Sequence, residues 1–452
     1  MTALEARLSA ALASRRDRAM LRSLDPVGVE PRVALVDFSS NDYLSLSRST
    51  TLRERLVERL SDPSSPSPYG PPSSRLLDGN SPAHLALELA LARFFNSSSS
   101  STSSSKNGEP GSALLFNSGF DANKGLWACL PGARDYIIYD ELVHASIHDG
   151  MRSSRVPPSR RISIRHNDLR HLDDVLRRIR DADADVRDAS VSVWIAVESL
   201  YSMDGDLVPL RDMVDLVEQV LPRRNGHFVV DEAHSTGLYG DKGRGLVCAL
   251  GLEDKVTVRV HTFGKAMACS GAVVLASPLI RNYLINYARP LIYSTVTPHM
   301  NVKAIEGALE MLEQGQGEEP AARVHSLAAT LISRLTSFLD STSSVHLPPH
   351  LLPPMYPPRH PLSSLAHPPT SPIVPLLTSA PRPMALFLRD KGFLVRPITY
   401  PTVPKGMERV RVCLHAGNTT DEVERLAEGV HEWVQLVDRP SRPDHAGTRA
   451  KL

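Results

Sequence analysis

The 452-residue chain has only four cysteines, Cys129, Cys248, Cys269 and Cys413. They lie far apart with no C-x-x-C pair, which speaks against a zinc knuckle or a disulfide framework and fits a reducing compartment. No metal site is expected. Excess charge of one sign is equally scarce, with 51 Lys and Arg against 50 Asp and Glu, a formal net charge of +1. A dedicated nucleic-acid binder would carry a basic excess, so no polyanion partner is implied. Long hydrophobic runs are missing too. The longest uncharged apolar stretch, Ala266 to Ile280, has 15 residues and includes Ser and Gly, short of the ~20 that span a bilayer. Glu5 and Arg7 interrupt the first apolar residues before a signal-peptide core forms, so neither secretion by that route nor a membrane partner is expected.

What is present fits a globular enzyme: 42% hydrophobic and 22% charged residues, in a length that allows two or three domains. Two stretches look inserted. Residues 97–105 are all Ser but for one Thr, and with Lys106 to Pro110 they cannot offset ordering entropy by burial, so a mobile loop is expected there. Leu347 to Pro372 holds ten prolines in 26 residues, which predicts a second loop, partly polyproline-like. Elsewhere short apolar runs alternate with helix-like periods. The runs are Ala113–Phe116, Asp135–Tyr139, Val191–Val197, His227–Val230, Val256–Val260 and Ala272–Leu275, and Leu169–Arg180 and Leu210–Val220 read as helices. This rhythm predicts an α/β fold with a mostly parallel central sheet and helices on both faces. Ligands in such sheets bind beyond the carboxyl ends of the strands, so the functional residues should follow these runs.

They do carry chemistry. His227 to His234 reads H-F-V-V-D-E-A-H, which places Asp231 directly after a strand, where a carboxylate can bind a metal or a cationic ring nitrogen or simply cap a helix. A helicase reading of D-E-A-H requires a P-loop. Gly264-Lys265 fails that test, with Arg259 at the first glycine position and Ala266 at the Ser/Thr position. Lys265 instead follows another strand and precedes the largely apolar Ala266 to Ser270. Partial desolvation there would lower its pKa and free the amine as a nucleophile, as a Schiff-base lysine requires. Lysine and carboxylate together suit pyridoxal phosphate (PLP), which needs both an imine partner and a counter-charge for its ring nitrogen. Phe116 to Phe120 (F-N-S-G-F) leads from a strand into a helix near Asp121 and could cradle a phosphate, while His144 could stack on a ring.

In combination these segments resemble the α-oxoamine synthases, a family of fold-type I PLP enzymes, and most closely their 8-amino-7-oxononanoate synthase branch of biotin biosynthesis. The resemblance runs from about Leu8 to Val437. It is carried by F-S-S-N-D-Y-L (38–44), N-S-G-F (117–120), H-A-S (144–146), H-N-D (166–168), S-M-D-G-D (202–206), V-D-E-A-H-S-T-G (230–237), T-F-G-K (262–265) and Y-P-T-V-P-K-G (400–406). It implies an aminotransferase-like architecture: an N-terminal segment (1–65), a large PLP-binding domain (66–300), a smaller C-terminal α+β domain (301–437) and an unfolded tail (438–452).

The resemblance further implies Lys265 as the imine lysine, Asp231 as partner of the ring nitrogen, His144 stacked on the ring, and His234 and Ser202 on its hydroxyl side. Ser118, Gly119, Phe120 and Thr262 become phosphate-side contacts, with Ser294 or Thr295 reaching in from the second subunit of a homodimer. Asn41 and Arg411 would hold the amino-acid carboxylate, Thr402 would line the acyl-CoA side, and Arg22 would lie near the acyl carboxylate. The implied substrates are L-alanine and pimeloyl-CoA, giving 8-amino-7-oxononanoate, CoA and CO2. Related alternatives are a 5-aminolevulinate synthase, a 2-amino-3-ketobutyrate ligase, a serine palmitoyltransferase or a secondary-metabolite acyltransferase; a non-catalytic homologue is disfavoured by the retained Lys265. The sequence departs from the family at Gly70-Pro71-Pro72-Ser73-Ser74-Arg75, where a glycine-rich turn is usual, at Ser45, where Gly is usual, and at Thr399, where a basic residue is often found, with Arg396 nearest. Finally, Ala450-Lys451-Leu452 is a variant of the Ser-Lys-Leu address, which predicts a peroxisomal location and the peroxisomal import receptor as a partner, with the cytoplasm as the fallback.

Overall fold

A computed structural model describes residues 1–18, 20–21, 24, 35–64, 67–96, 111–340, 343–352 and 370–438. Arg22, the Ser-rich stretch 97–110, residues 353–369 of the Pro-rich stretch and the tail from 439, with Ala450-Lys451-Leu452, lie outside the described residues.

A short strand, β1 (Val36–Asp37), comes first. The main sheet follows, from β2 (Ala113–Phe116), β3 (Tyr136–Asp140), β4 (Arg161–Ile164), β5 (Val193–Glu198), β6 (Gly226–Asp231), β7 (Val258–Thr262) and β8 (Ala272–Ala276). Its order is β2-β8-β7-β6-β5-β3-β4, with β8 antiparallel to both neighbours and the other pairs parallel. Every residue of β5 and of β8 is buried, as expected for strands covered on both faces, where the sequence reads as a continuous apolar run. The covering helices are amphipathic. Leu169–Ala182 buries Leu172, Val175, Leu176 and Ile179, and Leu210–Val220 buries Leu210, Met213, Val214, Val217 and Val220, both at helical spacing. Asp168 caps the first by accepting the amide of His171 at 2.9 Å.

Four further strands, β9 (Ile373–Leu377), β10 (Phe393–Leu394), β11 (Arg396–Ile398) and β12 (Arg409–Cys413), belong to the C-terminal part. β11, β12 and β9 form an antiparallel sheet, and β10 pairs in parallel with β1, matching Val36 to Phe393. The chain before residue 65 thus adds a strand beside the C-terminal sheet and carries Asn41 and Tyr43 with it. Within the main sheet, β5 and β6 are in register Glu198 to Asp231, and β6 and β7 pair Asp231 with Val260. The carboxyl ends of three adjacent strands therefore present Glu198, Asp231 and Thr262 along one edge.

The Pro-rich stretch differs from a free loop at both ends. Leu351, in a 3-10 turn over Pro349–Leu351, is 2% exposed, and Thr370 and Ser371 are buried. The Thr370 carbonyl accepts from Tyr239 Oη at 3.0 Å and lies 2.6 Å from His325 Nδ1. The reason is spacing: the prolines flank a leucine that reaches the core, and composition averaged over 26 residues hides it.

Candidate active site

β6 ends on Asp231, whose buried carboxylate accepts from Asn123 Nδ2 at 2.7 Å and from the amide of Ala233 at 2.9 Å. Asn123 lies on the helix Gly119–Cys129 and also donates to Ser146 Oγ at 3.1 Å; Ser146 in turn bonds His144 Nδ1 at 2.7 Å. A single polar chain thus ties the carboxylate to His144, which caps the helix Ala145–Arg152 and leaves its ring exposed. Desolvation by the cleft walls behind the ring holds the His144 pKa below its ordinary value; the Asp231 charge opposes this and Lys265 adds to it. Phe120 stands edge-on to His144 with centroids 6.3 Å apart.

Beside Asp231 in the sheet, Glu198 is buried. Burial first, and then the Asp231 charge, push its pKa well above the usual carboxylate range, so one of the two acids is held neutral. Lys265 follows β7 in the turn Phe263 to Ala268. Desolvation lowers its pKa, the neighbouring acids, Asp231 first, oppose that, and Arg411 reinforces it.

On the opposite wall, Arg411 of β12 donates through Nε to the Ser202 carbonyl at 2.6 Å and through Nη2 to Asn41 Oδ1 at 3.1 Å. Tyr43 is fully buried and its Oη lies 2.6 Å from His234 Nδ1. Burial raises the phenol's pKa; burial together with the charges of Lys265 and Arg411 drives that of His234 far down. Both groups are neutral. The Tyr43–His234 contact is thus a hydrogen bond between neutral groups, and Tyr43 Oη also lies 3.4 Å from Asn41 Oδ1.

The F-N-S-G-F turn closes the third side. Ser118 Oγ accepts the amide of Asp121 at 3.0 Å and opens the helix Gly119–Cys129, which concentrates free amides as an anion site does. A Cβ on Gly119 would stand 3.4 Å from Thr262 Cβ and Oγ1, so this helix start and the end of β7 are in contact. Thr262 Oγ1 itself donates to the Gly271 carbonyl at 3.2 Å.

The structure thus brings together Lys265, Asp231, His144, His234, Asn41, Arg411 and the Ser202 backbone, with Ser118, Gly119, Phe120 and Thr262 at the adjoining helix start. Thr402 is exposed and its amide bonds the Thr399 carbonyl at 3.0 Å. Ser294 and Thr295 lie beside the same chain's turn, the Thr295 carbonyl accepting from Asn117 Nδ2 at 2.7 Å. Sequence reasoning missed Tyr43, Asn123, Ser146 and Glu198. Glu198 had a signal, an acid ending a strand of apolar residues; Asn123 had none, because its partner Asp231 is 108 residues away.

These residues fit PLP on chemical grounds. A buried carboxylate suits a cationic ring nitrogen, the exposed imidazole face of His144 suits a ring, the helix start suits a phosphate, and a desolvated lysine stands by. Asn123 Oδ1 and Glu198 Oε1 are buried without a hydrogen bond among the described residues, polar atoms that a ligand group in the cleft could satisfy.

The comparisons agree. Residues 33–430 match the family model "Aminotransferase class I and II", and the chain belongs to that PLP-dependent family. Within it, the chain is a PLP-dependent acyltransferase of the α-oxoamine synthase group, 8-amino-7-oxononanoate synthase-like. It is 43% identical over 404 residues to an 8-amino-7-oxononanoate synthase of Emericella nidulans, with 89% of this chain and 90% of that protein covered. It is 35% identical to the aminoacyl transferase sphA of Aspergillus fumigatus, with coverages of 89% and 82%. Among solved structures it superposes on a serine palmitoyltransferase of S. paucimobilis with bound PLP and myriocin at a TM-score of 0.75, 22% identity and coverages of 97% and 99%, a likeness of fold. The 8-amino-7-oxononanoate synthase of Francisella tularensis gives 0.64 at 25% identity, with coverages of 89% and 99%.

Proposed function

We propose that the protein condenses L-alanine with pimeloyl-CoA, releasing CoA and CO2 to give 8-amino-7-oxononanoate, and that it works as a homodimer. The observation that carries this reading is the meeting of Lys265, Asp231 and neutral His234 with the Arg411 guanidinium across one cleft; the 43% identity to an 8-amino-7-oxononanoate synthase supports the choice of substrates. When bound, PLP supplies an electron sink conjugated to the amino-acid Cα. The Asp231 carboxylate, braced by Asn123, stands against the ring-nitrogen side, while burial keeps Glu198 neutral so that it adds no second charge. Lys265 Nζ, its pKa lowered by burial, takes the Cα proton and can return it. Arg411, steered by Asn41 and the Ser202 carbonyl, binds the amino-acid carboxylate. His234, its Nδ1 held by Tyr43, offers Nε2 to an oxygen on that side. Asn41, Tyr43 and Arg411 come from segments outside the main sheet, so the site is completed only when the two sheets pack together.

The 35% identity to an aminoacyl transferase favours one other reading, the same amino-acid chemistry with a different acyl donor. A CoA-release assay across alanine, glycine and serine paired with pimeloyl-, succinyl-, acetyl- and palmitoyl-CoA separates the two. Highest kcat/KM with alanine and pimeloyl-CoA is expected; equal turnover of a chain lacking the terminal carboxylate overturns the pimeloyl assignment.

A further inference from the structure

One cluster lies outside the residues just described, at the H-N-D segment. His166 follows β4. Its Nδ1 lies 2.9 Å from Asp140 Oδ1, at the end of β3, and its Nε2 lies 2.7 Å from Asp206 Oδ2. The backbone amide of Asn167 donates to Asp140 Oδ2 at 2.8 Å, and its side-chain Nδ2 donates to Asp206 Oδ2 at 2.7 Å. Asp140 is fully buried, Asp206 nearly so, and the ring edge of His166 meets Tyr201 with centroids 4.5 Å apart. A ring with a carboxylate on each nitrogen is a doubly protonated imidazolium, since a neutral ring can donate from only one.

The loop this cation grips is S-M-D-G-D. Tyr201 to Asp206 turns back on itself, with Gly205 N donating to the Tyr201 carbonyl at 2.8 Å and Tyr201 N to the Asp206 carbonyl at 3.0 Å. Its far side is held by the other sheet. Arg409 Nη1 donates to the Met203 carbonyl at 2.9 Å and to Asp204 Oδ1 at 2.6 Å, and Arg411 Nε donates to the Ser202 carbonyl at 2.6 Å. There is no slack on that side: a Cβ on Gly205 (φ 71°) would come 2.3 Å from the Ile373 carbonyl of β9. The loop is a peg between two sheets, fixed by His166 on one side and two β12 arginines on the other.

We propose that His166 is a positioning residue for amino-acid binding, acting through the Tyr201–Asp206 peg to set the direction of the Arg411 guanidinium. This rests on the reading of Arg411 as the carboxylate-binding group and on no particular amino acid or acyl donor. A guanidinium displaced by about 1 Å loses its two-point grip on a carboxylate, and displacements of that size cost on the order of 10²-fold in well-aligned sites. The effect should fall mainly on the amino acid, because the peg bonds Arg411 directly, whereas Thr402 lies on an exposed loop.

The test compares His166→Gln and Asp206→Asn holoenzymes with Asp135→Asn. Asp135 braces Gly132, Ser192 and Trp194 at the amino ends of β3 and β5, away from the cleft, so its variant controls for lost stability alone. The readouts are the KM for each substrate and the Kd of the preferred amino acid, measured by equilibrium dialysis with no acyl-CoA present. Both peg variants should raise the amino-acid KM and Kd about tenfold or more and leave the acyl-CoA KM within about threefold, whereas Asp135→Asn should lower the melting temperature without that split. If His166→Gln does not fold, Asp206→Asn carries the same comparison. An unchanged amino-acid Kd, or a rise in both KM values alike, overturns the positioning role. Should the substrate panel select another amino acid or acyl donor, the split is measured with those, so the two proposals fail separately.

Discussion

Asp231 occupies a place where one charge decides much. It is buried, faces the cleft and has a neutral acid, Glu198, as its neighbour in the sheet. Asp231→Asn removes the charge while keeping the shape, and turnover should fall by at least the ~10² typical of losing one such electrostatic group; near-normal turnover contradicts the assignment. Lys265→Ala should abolish the covalent attachment of PLP, seen as loss of label after borohydride reduction and peptide mapping, and label on another lysine would refute it. His166 gives a prediction with a sign. Burial alone would lower its pKa, but the hydrogen bonds and charges of Asp140 and Asp206 outweigh that and raise it from 6.5 to about 10, while its other neighbour, Tyr201, stays un-ionised because burial raises its own pKa. A pKa raised on folding stabilises the folded state fully below pH ~6.5 and loses that contribution as pH rises through about 10. Melting temperature should therefore fall between about pH 7 and pH 10, and His166→Gln should flatten that slope; parallel curves would show that the ring carries no such charge. Ser45 shows how a departure from a family pattern is accommodated. Its φ of 57° lies in the left-handed region, which explains the usual glycine, and its hydroxyl accepts the Gly417 amide at 2.7 Å and lies 3.0 Å from His415 Nδ1, bonds that offset a strain of about 1 kcal/mol.

At the scale of elements, legibility followed burial pattern. Ala113–Phe116 and Leu210–Val220 were read to the residue because their flanks change character abruptly, at Asn117 and at Pro209. The run Val191–Val197 was read two residues early at its start and one short at its end, since Glu198 is polar yet buried in the ladder opposite Asp231. β4, R-I-S-I, has too little apolar content to stand out, and its place at the edge of the described sheet, beside β3, explains why. The pairing of β1 with β10 joins residues some 350 positions apart and leaves no local trace. The same holds for the site: Lys265, Asp231 and His234 follow strands and were visible, but the Tyr43–His234 bond and the Asn123 brace exist only once the chain is folded. Leu351 tests the revised view of the Pro-rich stretch. As a packed core residue it should cost about 2–5 kcal/mol when changed to Ala, read as a clear drop in melting temperature; a change within about 0.5 kcal/mol, the usual surface value, would return the 347–352 end to a free loop.

At the scale of the whole molecule, the described surface carries an apolar region that reaches the turn beside the site. Tyr69 is 87% exposed, Leu77 75% and Tyr293 71%, and Met300 is exposed as well. They come from two segments laced together, with the amides of Val296, His299 and Met300 donating to the carbonyls of Ser73, Gly70 and Pro68. Exposed aromatic and aliphatic side chains gathered in this way mark a surface meant to be covered. A second copy of the chain suits it, because a two-fold contact places one patch against itself and because this patch includes Ser294 and Thr295, the latter bonded through its carbonyl to Asn117 beside the Ser118–Gly119 turn. A pair meeting here would set each copy's 294–295 segment close to the partner's cleft. Sedimentation of the holoenzyme should give a dimer, and Tyr293→Glu, which replaces an exposed ring of the patch by a carboxylate, should shift it toward monomer with a parallel loss of PLP affinity. Specific dimers bury roughly 1,200–2,000 Å², enough that one buried charge weakens the contact by a factor readable across a dilution series. A monomeric wild type that turns over fully, or a Tyr293→Glu monomer that keeps its affinity for PLP, would show that each site is complete within a single chain.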